Sequence, residues 1–183
     1  MPLPESPSST GVKTMIEDLM NPAGLGWADV LLRLGGTAIL AGAIGYEREV
    51  NKVGTAGLRT CMIIGITACS YALIMIALMK SFPGEHNDAV RMDPIRLVEA
   101  VTAGVALLAA GVMVFSGGRI KGATTGASMW LAASIGLAAG LGFWAISLAT
   151  CVIGVLILAA LVRVENALGM KSDSAAGDKD ADQ

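Results

Sequence analysis

The chain has 183 residues, 54% of them hydrophobic, with a mean hydropathy of +0.66 and a formal net charge of -2. A soluble domain of this size has to clothe its surface in polar groups, so the composition excludes one, and nothing in it points to a nucleic-acid partner. Apolar runs that are continuous and rich in Ala, Gly, Leu and Ile exclude a membrane barrel, whose strands alternate. What remains is an all-α integral membrane protein, a compact bundle of five transmembrane helices.

Residues 1–28 read as a polar tail. Four prolines fall in the first 25 positions, and the basic start and apolar stretch of a secretory signal are both missing. Thr14 to Met20 suit a short interfacial helix. Residues 29–163 form the membrane domain. Residues 164–183, with Asp173, Asp178, Asp180 and Asp182 and nothing to pack, have the composition of an acidic disordered tail.

Charge-free intervals define the spans, because a charge at the bilayer centre costs roughly 2.5 to 3.5 kcal/mol even on the lenient insertion scale. They run from Asp29 to Tyr46, Thr60 to Met79, Pro94 to Phe115, Ala123 to Leu141, and Phe143 to Val162. In the first, Arg33 leaves only Leu34 to Tyr46 free of charge, which calls for a short or tilted helix with Arg33 snorkelling outward. The last two come from one uncharged run, Gly122 to Val162. Its 41 residues are about twice what one crossing needs, so it has to fold back, and Gly140-Leu141-Gly142 is the weak point.

Orientation follows from the bases in the connections. With the N-terminus outside, the inner side holds Arg48, Lys52, Arg59, Arg119, Lys121, Arg163, Lys171 and Lys179, against Lys13, Lys80 and Arg91 outside. Positive residues favour the cytoplasmic face, which places the C-terminus there.

Three sets of residues stand out. Between the first two spans, Glu47, Arg48, Glu49, Arg59 and Thr60 make an inner-side polar cluster; a plain water-boundary flank would explain the bases but not the interleaved acids. On the outer side Asp93, Arg96 and Glu99 lie three apart at the start of the third span, with Pro94 suiting a helix start. Arg33 sits at a similar depth in the first span, so an Arg33–Glu99 ion pair is expected. In the fourth span Thr124, Ser128, Ala132, Gly136 and Gly140 recur every four residues, a helix-packing face for close approach of another helix or for dimerisation.

Catalysis, metal and cofactor find no constellation. His86 lies in the polar loop Ser81 to Met92 beside Glu85 and Asp88 with no metal or triad spacing. Cys61, Cys69 and Cys151 fall inside apolar segments as packing residues. Ser116 to Thr125 is basic and glycine-rich but lacks P-loop order, so Arg119 and Lys121 are read as contacts to lipid headgroups.

Gly45-Tyr46-Glu47-Arg48-Glu49, Ala56-Gly57-Leu58-Arg59-Thr60, Asp93-Pro94-Ile95-Arg96, and Gly122-Ala123-Thr124-Thr125-Gly126-Ala127 with Trp130 resemble, in order, the motifs of the MgtC/SapB family of bacterial inner-membrane proteins, over roughly residues 30 to 163. The resemblance implies a five-span domain with its N-terminus outside. It departs from the family's glycine-rich third span, where Gly104-Val105-Ala106-Leu107-Leu108-Ala109-Ala110-Gly111 has alanines for two glycines and Ala100 stands for a glutamine. Only about 20 polar residues follow the last span, which is similar to the short SapB-like branch without a soluble C-terminal domain.

The family implies adaptation to low magnesium, acid or host-related stress. The expected action is non-enzymatic, through homo-oligomers, with a dimer favoured, and through membrane partners such as F-type ATP synthase. The alternative is a small ion or solute transporter using the intramembrane charges of the first and third spans. An enzyme acting on lipid would need a nucleophile or metal that the sequence does not show.

Overall fold

The computed structural model describes residues 25–50, 57–81, 93–116 and 119–167. They form helices α1 (Trp27–Val50), α2 (Leu58–Ser81), α3 (Pro94–Val112), α4 (Ala123–Gly140) and α5 (Trp144–Ala167). A short antiparallel hairpin of β1 (Val114–Ser116) and β2 (Arg119–Lys121), with Phe115 opposite Ile120, links α3 to α4. The segment Thr14 to Met20, the loop carrying His86 and the acidic tail lie outside the described residues.

Four helices, α1, α2, α3 and α5, are long and apolar enough to cross a membrane. The remaining one, α4, is the most deeply packed. Thr125, Gly126, Ser128, Met129, Ala132 and Gly136 are among its buried residues, and it touches all four other helices. This is the expected division of labour in lipid, where close packing of small residues and interhelical hydrogen bonds, rather than hydrophobicity, hold helices together. The helix that meets least lipid can carry the most Gly, Ala, Ser and Thr.

Directions follow from the contacts. Arg33 of α1 reaches Gly140 at the end of α4, and Arg48 reaches Thr124 at its start, so the two helices are antiparallel. Gly65 and Cys69 of α2 meet Gly136 and Gly140, so α2 and α4 are parallel. In α5, Trp144 lies on Gly36, Cys151 donates to the Leu40 carbonyl, and Gly154 approaches Ile44, parallel to α1. The helices therefore alternate in direction through the bundle.

At the crossing of α2 and α4 a Cβ on Gly136 would lie 2.0 Å from the Gly65 carbonyl oxygen. No other residue fits there. The face of Thr124, Ser128, Ala132, Gly136 and Gly140 is thus filled from within the chain, by α1 at one end and α2 along the rest.

Two boundaries differ from expectation. α1 does not stop at Tyr46 but runs to Val50, carrying Glu47, Arg48 and Glu49 on a helix, because α4 supplies polar partners that let Arg48 enter the bundle. α3 stops at Val112 rather than Phe115, where the chain turns into β1; the Met113 N–H closes the helix on the Ala110 carbonyl.

α4 and α5 separate at the glycines. The Phe143 N–H donates to the Ala138 carbonyl and the Gly142 N–H to that of Ala139, with Gly142 at φ +90°. This is the Schellman closure, which needs a left-handed residue at Gly142.

Candidate functional site

The polar interior is organised by two arginines of α1, fifteen residues or about 22 Å apart along the helix. Each grips one end of α4.

Arg48 is 1% exposed. Its Nη1 donates to the Thr124 carbonyl and, at 2.5 Å, to Ser128 Oγ, while Nη2 donates to Thr125 Oγ1 at 2.9 Å. The N-terminus of α4 carries the positive end of the helix dipole and on its own would repel a guanidinium. The two hydroxyls and the carbonyl reverse that preference with lone pairs. Ser128 also donates to the Thr125 carbonyl at 2.8 Å, so its hydroxyl is oriented to accept from Arg48. Glu47 and Cys61 flank the guanidinium.

Glu49 turns to another task. Its Oε2 accepts from the Leu58 N–H at 3.1 Å and so caps the start of α2, binding the two sides of the α1–α2 connection. Arg59 is exposed, Thr60 is half-buried, and neither bonds Arg48. The expected five-residue cluster is therefore a clamp around Arg48 plus a separate cap.

At the other end Arg33 Nη1 donates to the Gly140 carbonyl at 2.7 Å, and Nη2 pairs with Asp29 Oδ2 at 3.0 Å. Here the charge agrees with the dipole, since the C-terminus of α4 is its negative end. The Leu137, Ala138 and Ala139 carbonyls are taken by the Schellman turn, so Arg33 satisfies the one left over. Fit at this end is looser. The Arg33 side chain keeps 14% of its exposure, and the Thr37 hydroxyl one turn on is buried without a hydrogen-bond partner.

Arg33 thus neither snorkels freely nor pairs with Glu99. Asp29, on the same helix face, lies nearer than any acid of α3, and α3 packs chiefly on α4. Asp93 caps α3 by accepting from the Ile95 N–H at 2.9 Å, while Arg96 and Glu99 are exposed. The outer string is therefore split between two helices rather than joined. Among the described residues no three His, Cys, Asp or Glu side chains converge as metal ligands do.

Sequence reasoning passed over Asp29, Thr37 and Thr125 as site residues. Spacing offered a signal for two of them: Asp29, Arg33 and Thr37 are successive i,i+4 neighbours. Thr125 had none of its own beyond its place in the Gly-Ala-Thr-Thr motif.

With this geometry in view, the sequence profile of the MgtC family matches residues 34–167, from just past Arg33 to the end of α5. The chain belongs to the MgtC family. Protein SapB of Bacillus subtilis (strain 168) is 38% identical over 117 residues, 63% of this chain and 49% of SapB. The "Putative magnesium transporter YhiD" of Escherichia coli (strain K12) is 36% identical over 132 residues, 72% of this chain and 60% of YhiD. Protein MgtC of Brucella abortus (strain 2308) is 28% identical over 109 residues, 60% of this chain and 41% of that protein. The chain spans about half the length of these MgtC-family relatives. No solved structure matches it.

Proposed function

We propose that this MgtC-family chain acts in a bacterial inner membrane, non-enzymatically, in adaptation to low magnesium, acid or host-related stress, by associating with other membrane proteins, F-type ATP synthase being one candidate. The observation that carries this reading is how Arg48 is used. An arginine available to a permeating ion faces an aqueous path; this one spends its donors on Thr124, Thr125 and Ser128 inside the chain.

Two clefts between helices support the same reading. One of about 340 Å³ lies between α1 and α5 against Trp144; the other, of about 500 Å³, lies between α2 and α3. Both are lined almost entirely by apolar side chains, unlike a route for a hydrated cation. The magnesium link draws on the name of the Escherichia coli relative, and the excess of Lys and Arg in one set of connections supports an outside N-terminus and a cytoplasmic C-terminus.

The test has two arms. Cells lacking the gene are expected to grow poorly at limiting magnesium or acid pH and to recover with the intact chain. Purified protein in liposomes is expected to pass no magnesium, potassium or protons above the protein-free rate. Flux that disappears with Glu99→Gln would replace this reading with a transporter.

A further inference from the structure

The periphery of the bundle carries two kinds of outward face. On α5 it is built of large aliphatic side chains, with Ile146, Val152, Ile153, Leu156 and Ile157 about half or more exposed. That is a lipid-facing surface. α3 buries Val105 and Ala109 toward the bundle. Its opposite side presents Arg96, Glu99, Ala103, Ala106 and Ala110, all exposed, with Leu107 the large side chain among them. Positions 96, 99, 103, 106 and 110 step by three and four, the seam of two helices packed side by side at a shallow angle.

The charges give the second observation. Glu99 stands five residues inside a 19-residue helix, about 8 Å from its start, on an exposed face that no other described helix covers. No ion pair joins Arg96 or Glu99 to each other or to another described residue. A carboxylate at that depth facing hydrocarbon is costly, and Arg96 sits one turn away with the opposite charge.

We infer that this face of α3 docks on the same face of a second copy of the chain, with Arg96 of each copy pairing to Glu99 of the other across a twofold axis normal to the membrane. A twofold interface brings identical surfaces together, so a face succeeds only if it is self-complementary. One positive and one negative residue a single turn apart, about 4.5 Å along the axis and within reach of two long side chains, meet that condition twice over. The alanines below them let the two backbones approach, as Gly136 and Gly65 do inside the chain. The inference stands apart from the stress role and needs no third protein.

The experiment uses the full-length chain in lipid bilayers, with two tags and pairwise fluorescence transfer as the readout. Wild-type copies are expected to associate. Glu99→Arg alone puts only positive charge on the seam and Arg96→Glu alone only negative, and each variant is expected to lose self-association. Mixing the two restores both pairs between unlike copies, so transfer should return in the mixture. Single variants that associate like wild type, or a mixture as separate as either alone, would overturn the inference. A second measurement leaves the charges intact: Ala103→Cys should crosslink copies through a short bifunctional reagent, while Ile153→Cys on α5 should not, the native Cys61, Cys69 and Cys151 being buried. Equal crosslinking at both positions, or none at Ala103→Cys, would also overturn it.

Discussion

The two ends of α4 are held by the same residue type from the same helix, yet they are built differently. At the Arg48 end a fully buried guanidinium works against the helix dipole and is held by two hydroxyls and a carbonyl. At the Arg33 end a partly exposed guanidinium works with the dipole, shares its charge with Asp29, and stands one turn from a buried Thr37 hydroxyl that has no hydrogen-bond partner. The difference teaches that sign and depth of a buried charge do not settle its stability. Where the field is unfavourable, side-chain hydroxyls are recruited as acceptors; where it is favourable, one backbone carbonyl and a neighbouring acid are enough.

The largest effect is expected midway between the ends, where the contrast itself depends on α4 staying seated. Gly136→Leu would drive a side chain into the Gly65 backbone, and folded protein should be lost, as read by recovery from detergent or by trypsin resistance.

Next comes the closed end. Replacing Thr125 by Val and Ser128 by Ala leaves Arg48 buried with one acceptor among those named here, which should destabilise the protein by about 3–5 kcal/mol in a steric-trap unfolding measurement. The open end should respond less. Arg33→Met loses one charge-assisted bond and a half-exposed ion pair, about 1–2 kcal/mol by the same method, and added salt should shrink the part that comes from Asp29.

The smallest effect should also have the opposite sign. Thr37→Val removes a buried hydroxyl that makes no hydrogen bond at nearly constant volume, and the protein should be unchanged or more stable by up to about 1 kcal/mol. A clear loss of stability would mean that the hydroxyl is engaged.

Much of the bundle was legible from residues alone, and the reason differs by element. The turn at Leu141 and Gly142 could be read because an uncharged run of that length has to fold back, and a glycine supplies the left-handed residue it needs. Asp93-Pro94 announced α3 through local capping chemistry, which spacing alone encodes.

The end of α1 was not legible. Glu47-Arg48-Glu49 reads as a polar cluster lying beyond a span that ends at Tyr46 unless one knows that Thr124, Thr125 and Ser128, some eighty residues on, supply acceptors inside the bundle. The same limit hid the partner of Arg33. Sequence showed an acid on α3 at similar depth, but only the packing reveals that Asp29 and the Gly140 carbonyl lie closer. Likewise the small-residue face of α4 was evident from its spacing, whereas its use inside the chain, against Gly65 and Cys69, depends on which helix lies beside it.

The most direct measurement is a double-mutant cycle between Arg48 and Ser128, with unfolding free energies for Arg48→Met, Ser128→Ala and the pair. If Arg48 clamps α1 to the start of α4, Ser128→Ala should be destabilising with the arginine present and nearly neutral once Arg48 is Met, a coupling of about 1.5–3 kcal/mol. Two losses that simply add would contradict the clamp and leave Arg48 as a buried charge whose role lies elsewhere.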